Sequence, residues 1–306
     1  DEGYLLGKTI FNNERKSISA LHYSYDSRGN ILKETLFGNL TGKGAQAFEV
    51  GPTGIPNDTS IERYRKFSTY SDDSISLKLT ESEENGSTIR YGYKKGTDLL
   101  TSKLTCDGDN IEIREFFEYD DNAIVVKKIV DDGSSSNAND LNHITERRIT
   151  SINPVRGKQD HGVGQPASII DAYLDLKSSK EVILKRRDFQ YNKAGQIIKE
   201  ELRDANNELI YTLVFSYDDR GRLIQKTDPV GRCFTFAYDA NNNKIREELQ
   251  GSGFYTSYEY DKANRLIKEI EYHQDNKILT TSYRYDLMGN KIASRDIFGN
   301  ETRYDY

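Results

Sequence analysis

Aspartate is the residue type with the most chemical capacity in this chain, and it recurs in one setting, directly after a tyrosine. The pairs are Tyr25-Asp26, Tyr119-Asp120, Tyr217-Asp218, Tyr238-Asp239, Tyr260-Asp261, Tyr285-Asp286 and Tyr304-Asp305, with Tyr191-Asn192 as a close variant. Carboxylates serve as general acids, general bases or metal ligands. A catalytic group is needed once, however, and these are serial. An aspartate beside a turn also accepts bonds from nearby backbone N–H groups. Turn capping is therefore the reading for the whole series. A second acidic group, Asp107 and Asp109 followed by Glu118, has the outline of a calcium loop, but Ile111 and Glu112 occupy the positions where a ligand and the turn glycine belong. It reads as a polar turn followed by a strand. "GVGQPA" from Gly162 matches a loose dinucleotide fingerprint without the strand–turn–helix context that would give it meaning. His22, His143, His161 and His273 lack zinc-ligand spacing, with His161 the one in an irregular segment. Cys106 and Cys233 have no motif spacing, so nothing in the sequence supports a disulfide between them. No nucleophile elbow or Cys/His signature is present. No catalytic, cofactor-binding or metal-binding residue is assigned, and no cofactor is expected.

The elements that carry these aspartates form a repeat. From Tyr191 onward the tyrosines recur at a step of about twenty residues, with elastic spacing, and Tyr70 and Tyr93 read as degenerate copies. Two residues before the tyrosine stands another aromatic: Tyr23, Tyr91, Phe117, Phe189, Phe215, Phe236, Tyr258 or Tyr283. Residues i and i+2 share one face of a strand, so each unit sets two rings side by side. Tyr70 and Tyr304 lack this partner, having Ser68 and Thr302 there, and read as degenerate or boundary copies. Three residues after the aspartate or Asn192 comes Gly29, Gly195, Gly221 or Gly289, with Asn242 and Asn264 in two further copies. Glycine and asparagine tolerate positive φ, which predicts a type I turn with a bulge. The Tyr119 copy departs, with Ala123 in that slot. Return strands such as "RLIQKT" and "KIREEL" follow, and a second family of turns, "DANNEL", "DPVGRC", "QGSGFY", "HQDNKI" and "DIFGNE", joins one hairpin to the next. The prediction is an all-β chain, a repetitive antiparallel hairpin meander. One hairpin alone is marginal, and stacked repeats supply each other's partners.

Composition agrees with an extended sheet more than a thick core. The 306 residues are 35% hydrophobic and 30% charged, with 21 Tyr, 12 Phe and no Trp. Mean hydropathy is -0.77. Tyrosine covers a half-exposed sheet face while its hydroxyl stays wet. The net charge of -6 argues against a nucleic-acid partner. No apolar run is long enough to span a membrane, and no signal peptide follows Asp1. Residues 1–187 are expected to hold degenerate repeats interrupted near 39–60, 131–140 and 151–168, and 188–306 the regular array, within one continuous structural domain. "DDGSSSNAND" at 131–140 reads as a flexible loop. The stretch 169–192 reads as a hairpin turning near 177–180, with a short helix at 169–176 as the alternative. The sequons at Asn39, Asn57, Asn85 and Asn300 matter only where the source glycosylates.

"YSYDSRGNI", "FSYDDRGRL" and "YRYDLMGNK" resemble the YD repeats of the Rhs family, and "TDPVGRCFTFAYD" and "FGNETRYDY" resemble its linking segments. The resemblance covers most of the chain and is densest over 188–306. Relatives of this kind include bacterial Rhs polymorphic toxins, insecticidal toxin-complex shell proteins and animal teneurins. The resemblance implies a curved or spiralling sheet, as a partial shell or barrel. It implies a secreted or cell-surface location and a non-enzymatic structural role, enclosing or presenting a toxin or effector polypeptide, in cis where the two are one chain. The self-cleavage motif of the bacterial shells is not recognisable, and "DPVG" from Asp228 reads as a linking turn. The alternative is a cell-surface adhesion module binding glycans or proteins, because aromatic rows with Asp and Asn suit sugars. A hydrolase is disfavoured because no site converges.

Overall fold

A computed structural model describes residues 3–12, 14–157 and 161–306. Asp1 and the central part of the 151–168 segment lie outside the described residues. The described residues form 22 β-strands and no helix. The chain divides into two compact units, one running to Ser151 and including Ala172–Val182, the other Ile152–Asp171 with Ile183–Tyr306.

The first unit holds β1 (Gly7–Phe11), β2 (Ser17–Tyr25), β3 (Ile31–Gly38), β4 (Arg63–Tyr70), β5 (Lys78–Glu83), β6 (Ser87–Tyr93), β7 (Leu100–Asp107), β8 (Asn110–Tyr119) and β9 (Val125–Asp131). Each pairs antiparallel with the next, and β9 pairs with β10 (Arg147–Pro154). β10, β11 (Pro166–Asp175) and β12 (Lys180–Tyr191) contribute residues to both units. The second unit continues with β13 (Ile197–Asp204), β14 (Leu209–Tyr217), β15 (Leu223–Thr227), β16 (Cys233–Tyr238), β17 (Lys244–Leu249) and β18 (Phe254–Tyr260). It ends with β19 (Leu266–Tyr272), β20 (Ile278–Tyr285), β21 (Lys291–Arg295) and β22 (Glu301–Arg303). From β12 to β22 every consecutive pair is antiparallel. The repetitive antiparallel meander read from the sequence is therefore the fold. Residues 169–175 lie in strand β11, not in the short helix weighed as the alternative, and the turn that follows occupies 176–179.

The two units are held together internally by different means. In the first, one sheet face carries apolar residues. Leu104, Cys106, Phe116, Ile129, Ile149 and Ala172 form one buried cluster, and Ala20, Phe37, Phe48 and Ile61 form another. Phe48 comes from the 39–60 segment, which bridges back to the sheet through Ser17 and Phe48. Burying one such large side chain contributes about 1.5–3 kcal/mol. In the second unit, Tyr191 and Ala293 are the buried hydrophobic residues among those described. Its other described apolar side chains are half-buried or exposed, so backbone ladders and polar bonds carry more of its stability.

Candidate functional site: the repeated tyrosine–aspartate turn

The repeats with Asp or Asn192 after the tyrosine, up to Asp286, build the same turn, whereas the Tyr70 and Tyr93 copies close longer ones, from Ser71 to Leu77 and from Lys94 to Leu99. At Asp239 the backbone N–H donates to the Asn243 carbonyl at 3.0 Å, and the Asn242 N–H donates to the Asp239 carbonyl at 3.3 Å. The carboxylate Oδ1 accepts from the N–H groups of Asn241 and Asn243, both at 2.9 Å, and Oδ2 accepts from the Asn243 side-chain amide at 2.9 Å. Asp26 and Asp286 repeat this pattern with Asn30 and Asn290, and Asp218 and Asp261 repeat it with Arg222 and Arg265. These bonds favour the ionised carboxyl, so its pKa lies below the ordinary aspartate range. At Asp239 and Asp286 the asparagine side-chain amide is the main cause, and at Asp218 and Asp261 it is the backbone N–H four residues on. Asn242 has φ 70° and Asn264 φ 60°, the left-handed conformation that glycine adopts in the other copies. Ala123 has φ 62°, so the Tyr119 copy keeps the turn despite its side chain. The linking turns at Asp204, Asp228 and Asp296 have the same bonds, whereas those at Gln250 and His273 lack the capping aspartate.

In three of these turns the residue four after the Asp or Asn192 also reaches the next repeat. Gln196 donates to the Gly221 carbonyl at 2.7 Å, Arg222 to the Asp239 carbonyl at 2.9 Å, and Arg265 to the Asp286 carbonyl at 2.8 Å.

The tyrosine does what its sequence position did not reveal. A one-residue register shift falls immediately before Tyr25, Tyr70, Tyr93, Tyr119, Tyr191, Tyr217, Tyr238, Tyr260 and Tyr285. In the Tyr238 hairpin the shift leaves out Ile245 on the return strand, a second bulge beyond the one expected at the left-handed turn residue Asn242. Where one hairpin meets the next, the backbone ladder stops short of the turn edge. Between β15 and β16 it ends at Gln225 opposite Thr235. Beyond it, the Tyr238 hydroxyl crosses to the otherwise unladdered Leu223 carbonyl and donates at 2.9 Å. The same relation, acceptor two residues before the last ladder pair and tyrosine three residues after it, holds for Tyr217 to Ile197 at 3.0 Å. It holds for Tyr260 to Lys244 and Tyr285 to Leu266, both at 2.9 Å. In the first unit it holds for Tyr70 to Ile31 at 3.2 Å, and for Tyr93 to Lys78 and Tyr119 to Leu100 at 2.9 Å. Tyr70 and Tyr93 thus keep the working part of the repeat. The rule also corrects the last copy. Tyr306, not Tyr304, donates across the gap, to the Lys291 carbonyl at 3.1 Å. Tyr304 fills the preceding aromatic slot.

The paired rings are spaced by cations more than stacked on one another. Lys244 sits 5.9 Å from the Phe236 ring and 4.6 Å from the Tyr258 ring, and Lys291 sits 5.7 Å from Tyr283 and 4.8 Å from Tyr304. Arg222 lies 4.9 Å from Tyr238. Each such contact contributes about 0.5–1 kcal/mol at a partly exposed site.

The sequence candidates for other chemistry do not converge. Asp107 and Glu118 lie at the far ends of a hairpin, in β7 and β8, and Asp109 faces Arg90 at 3.5 Å. Among the described residues no group of three or more His, Cys, Asp or Glu could hold a metal ion. "GVGQPA" is a turn with Gly162 and Gly164 at positive φ, leading into β11. His161 and His143 are exposed, His273 lies 3.5 Å from Glu271, and burial with the nearby Lys33 lowers the pKa of His22. Cys106 and Cys233 are free. Asn39, Asn85 and Asn300 use their side-chain amides within turns.

One buried group escaped the sequence reading. Arg114 and Asp131 side chains are both 0% exposed and paired, and Asp131 also pairs with Arg147 at 2.7 Å. Arg114 donates to the carbonyls of Ser135, Asn137 and Asp140 at 2.6, 3.0 and 3.0 Å. Arg147 donates to that of Ala138 at 2.7 Å. The 131–140 segment, expected to be flexible, is therefore anchored through its carbonyls on a buried guanidinium. A Cβ on Gly133 would meet Arg114 side-chain atoms, so the loop passes too close for any larger residue. A single Arg in a strand gives no sequence signal for this.

Comparison with known proteins follows this geometry. The family model described as RHS Repeat matches residues 217–247, which span the hairpins of Tyr217 and Tyr238. A curated relative, "Double-stranded DNA deaminase toxin A" of Burkholderia cenocepacia (strain H111), is 26% identical over 142 residues, which cover 36% of this chain and 10% of the relative. The solved structure "Crystal Structure of TcdB2-TccC3-TEV" is similar with TM-score 0.46 and 13% identity, covering 95% of this chain and 20% of that one. A structure of the Photorhabdus luminescens Tc holotoxin pore is similar with TM-score 0.25 and 15% identity, covering 94% of this chain and 19% of that one. The chain thus spans about a tenth of the curated relative and about a fifth of these solved chains.

Proposed function

We propose that this chain, whose residues 217–247 match the RHS Repeat model, belongs to the Rhs/YD-repeat family and is a segment of a structural shell that encloses or presents a toxin or effector polypeptide. The mechanism is steric: a continuous sheet keeps proteases and bulk solution from the cargo. The observation that carries this reading is the tyrosine bridge at successive hairpin junctions. It fastens each hairpin to the one before it, at the place where the backbone ladder stops. A sheet sealed at each junction suits a wall. The spending of the aspartates on turn capping supports a role without catalysis, and the relative named as a toxin supports a toxin-related cargo. A curved or spiralling course and a secreted or cell-surface location belong to the same proposal.

The test is limited proteolysis of the full-length protein that carries this segment together with its cargo. The cargo is expected to resist proteinase K far longer inside than when expressed alone. Equal cleavage rates would refute enclosure. The surface-binding alternative predicts saturable signals on a glycan array, and its strongest support is an open cavity of about 580 Å³ lined by Tyr4, His22, Tyr23 and Tyr25. The Tyr4 ring is already stacked on Tyr25 at 5.1 Å, which leaves less aromatic surface for a sugar.

A further inference from the structure

Arginines of the second unit are generally matched with a carboxylate close by in sequence. Arg222 meets Asp218 at 2.7 Å, Arg232 meets Asp228 at 2.6 Å, Arg265 meets Asp261 at 2.7 Å and Arg246 meets Glu248 at 3.0 Å. The last three strands depart from this pattern. Glu301 alone serves Arg303 at 2.8 Å, Arg284 at 3.2 Å and Arg295 at 3.4 Å. A charge-assisted N–H···O bond normally lies at about 2.7–2.9 Å. Only Arg303, on the same strand as Glu301, meets that standard, and Asp305 acts on Arg303 as well. Arg284 and Arg295 make only long contacts to a carboxylate that is already neutralised.

The registers place these two on one face. Arg284 is opposite Ala293, Ser282 is opposite Arg295, and Arg295 is opposite Glu301. Arg284 and Arg295 are thus diagonal neighbours, roughly 7–8 Å apart at the backbone. Between them Ala293 contributes only a methyl group and is 2% exposed. Above it lies a cavity of about 210 Å³ lined by Ser282, Arg284, Ala293, Ser294, Arg295 and Glu301. Two guanidiniums lining one cavity, each making only a long contact to Glu301, suit an added acceptor with several oxygens around one centre. A planar carboxylate is satisfied by a single fork.

The geometry points to an oxyanion-binding site in this cleft, for a phosphate or sulfate ester held between Arg284 and Arg295. The Ser282 hydroxyl is a further donor and Ala293 the floor. The site is separate from the tyrosine–aspartate turns and does not depend on the shell reading.

The test is calorimetric titration of the chain, at low ionic strength, with inorganic phosphate and with inorganic sulfate, followed by phosphoserine and glucosamine 6-sulfate to identify the source of the ester. Saturable binding is expected. Arg295→Ser should weaken it by about tenfold or more, the effect of losing one charge-assisted contact. Arg303→Ser frees Glu301 to take Arg284 and Arg295, and should weaken it as well although Arg303 does not line the cleft. No saturation by about 20 mM of any of the four, a range that covers weak binding, overturns the site. So does binding that is unchanged in Arg295→Ser while circular dichroism shows that variant folded.

Discussion

Replacing Tyr238 with phenylalanine isolates the junction bond. The ring stays, and with it the packing of the Arg222 guanidinium 4.9 Å from its centre. Only the hydroxyl leaves, and with it the 2.9 Å bond to the Leu223 carbonyl. A neutral hydrogen bond contributes about 0.5–1.5 kcal/mol net. Tyr238 is half-buried, so water can partly replace the lost partner, and the expected cost is about 1 kcal/mol. In a repeat array stability is a sum of units and nearest-neighbour interfaces, so this cost falls on the junction between β15 and β16. Hydrogen exchange read by mass spectrometry resolves it. Amides of β15 and β16 should exchange about fivefold faster in Tyr238→Phe, the factor for about 1 kcal/mol. Those of β13 should be unchanged. Tyr306→Phe is the control: Tyr306 is 81% exposed, and its loss should stay within about 0.5 kcal/mol. If Tyr238→Phe left β15 and β16 protected as in the parent while Tyr238→Leu opened them, ring packing and not the hydroxyl would join the hairpins. The reasoning about the interrupted ladder would then be wrong.

Asn242→Gly should be tolerated and Asn242→Val should destabilise its hairpin by about 1 kcal/mol or more in thermal unfolding, because a β-branched side chain resists positive φ. Ala123→Gly should stabilise by about 0.5–1 kcal/mol in urea titration, since glycine relieves the left-handed strain at φ 62°. Arg114→Met takes one of the two arginines from the buried Asp131, leaving it only Arg147, and strips the Ser135, Asn137 and Asp140 carbonyls of their donor; it should cost about 3–5 kcal/mol, with faster labelling of the buried Cys106 thiol as a second readout. The turn carboxylates of Asp218, Asp239, Asp261 and Asp286 have folded pKa values below the unfolded value of 3.8. Their contribution is therefore complete above that value and is lost as pH falls through the folded values, so acid unfolding followed by circular dichroism should steepen below pH 3.8. Burial raises the phenol pKa of Tyr93, Tyr191, Tyr217 and Tyr260 above 10.0. That contribution is present below pH 10.0 and is lost as pH rises through the folded values, which the same measurement at alkaline pH checks.

The sequence carried the turns because each is local. Asp239 and Asn242 are three residues apart, and a spacing of three repeated along one chain is visible without knowing what lies across the sheet. The hydroxyl of Tyr238 acts over a different distance. Its acceptor, Leu223, is set by where the ladder between two hairpins stops, and that depends on the one-residue bulge preceding each repeat tyrosine. The same dependence explains the reading of Tyr304 as the final copy. A Tyr-Asp dipeptide marks it, yet the register selects Tyr306. The linking turns looked like a separate class because their flanking residues differ, although Asp204, Asp228 and Asp296 carry the same spacing to Asn207, Gly231 and Gly299. Arg114 was beyond reach, since its partners are backbone carbonyls of a loop more than twenty residues away. The composition did foretell a thin core: charged and aromatic residues share the strand faces, and among the described residues the buried apolar clusters sit in the first unit, the 39–60 segment adding Phe48 to one of them.

The tyrosine bridges also have a polarity in time. Tyr217 reaches back to Ile197, Tyr238 to Leu223, Tyr260 to Lys244 and Tyr285 to Leu266. Each acceptor precedes its donor, so a chain emerging from the ribosome already holds the carbonyl when the tyrosine arrives. Each new hairpin can close onto finished structure without waiting for residues still to be made, and no junction requires a long search. A meander assembled in this order grows from its N-terminal side, one fastened hairpin at a time. At every stage of synthesis the newest strand is the growing edge, while β1, paired with β2, holds the other end of the meander.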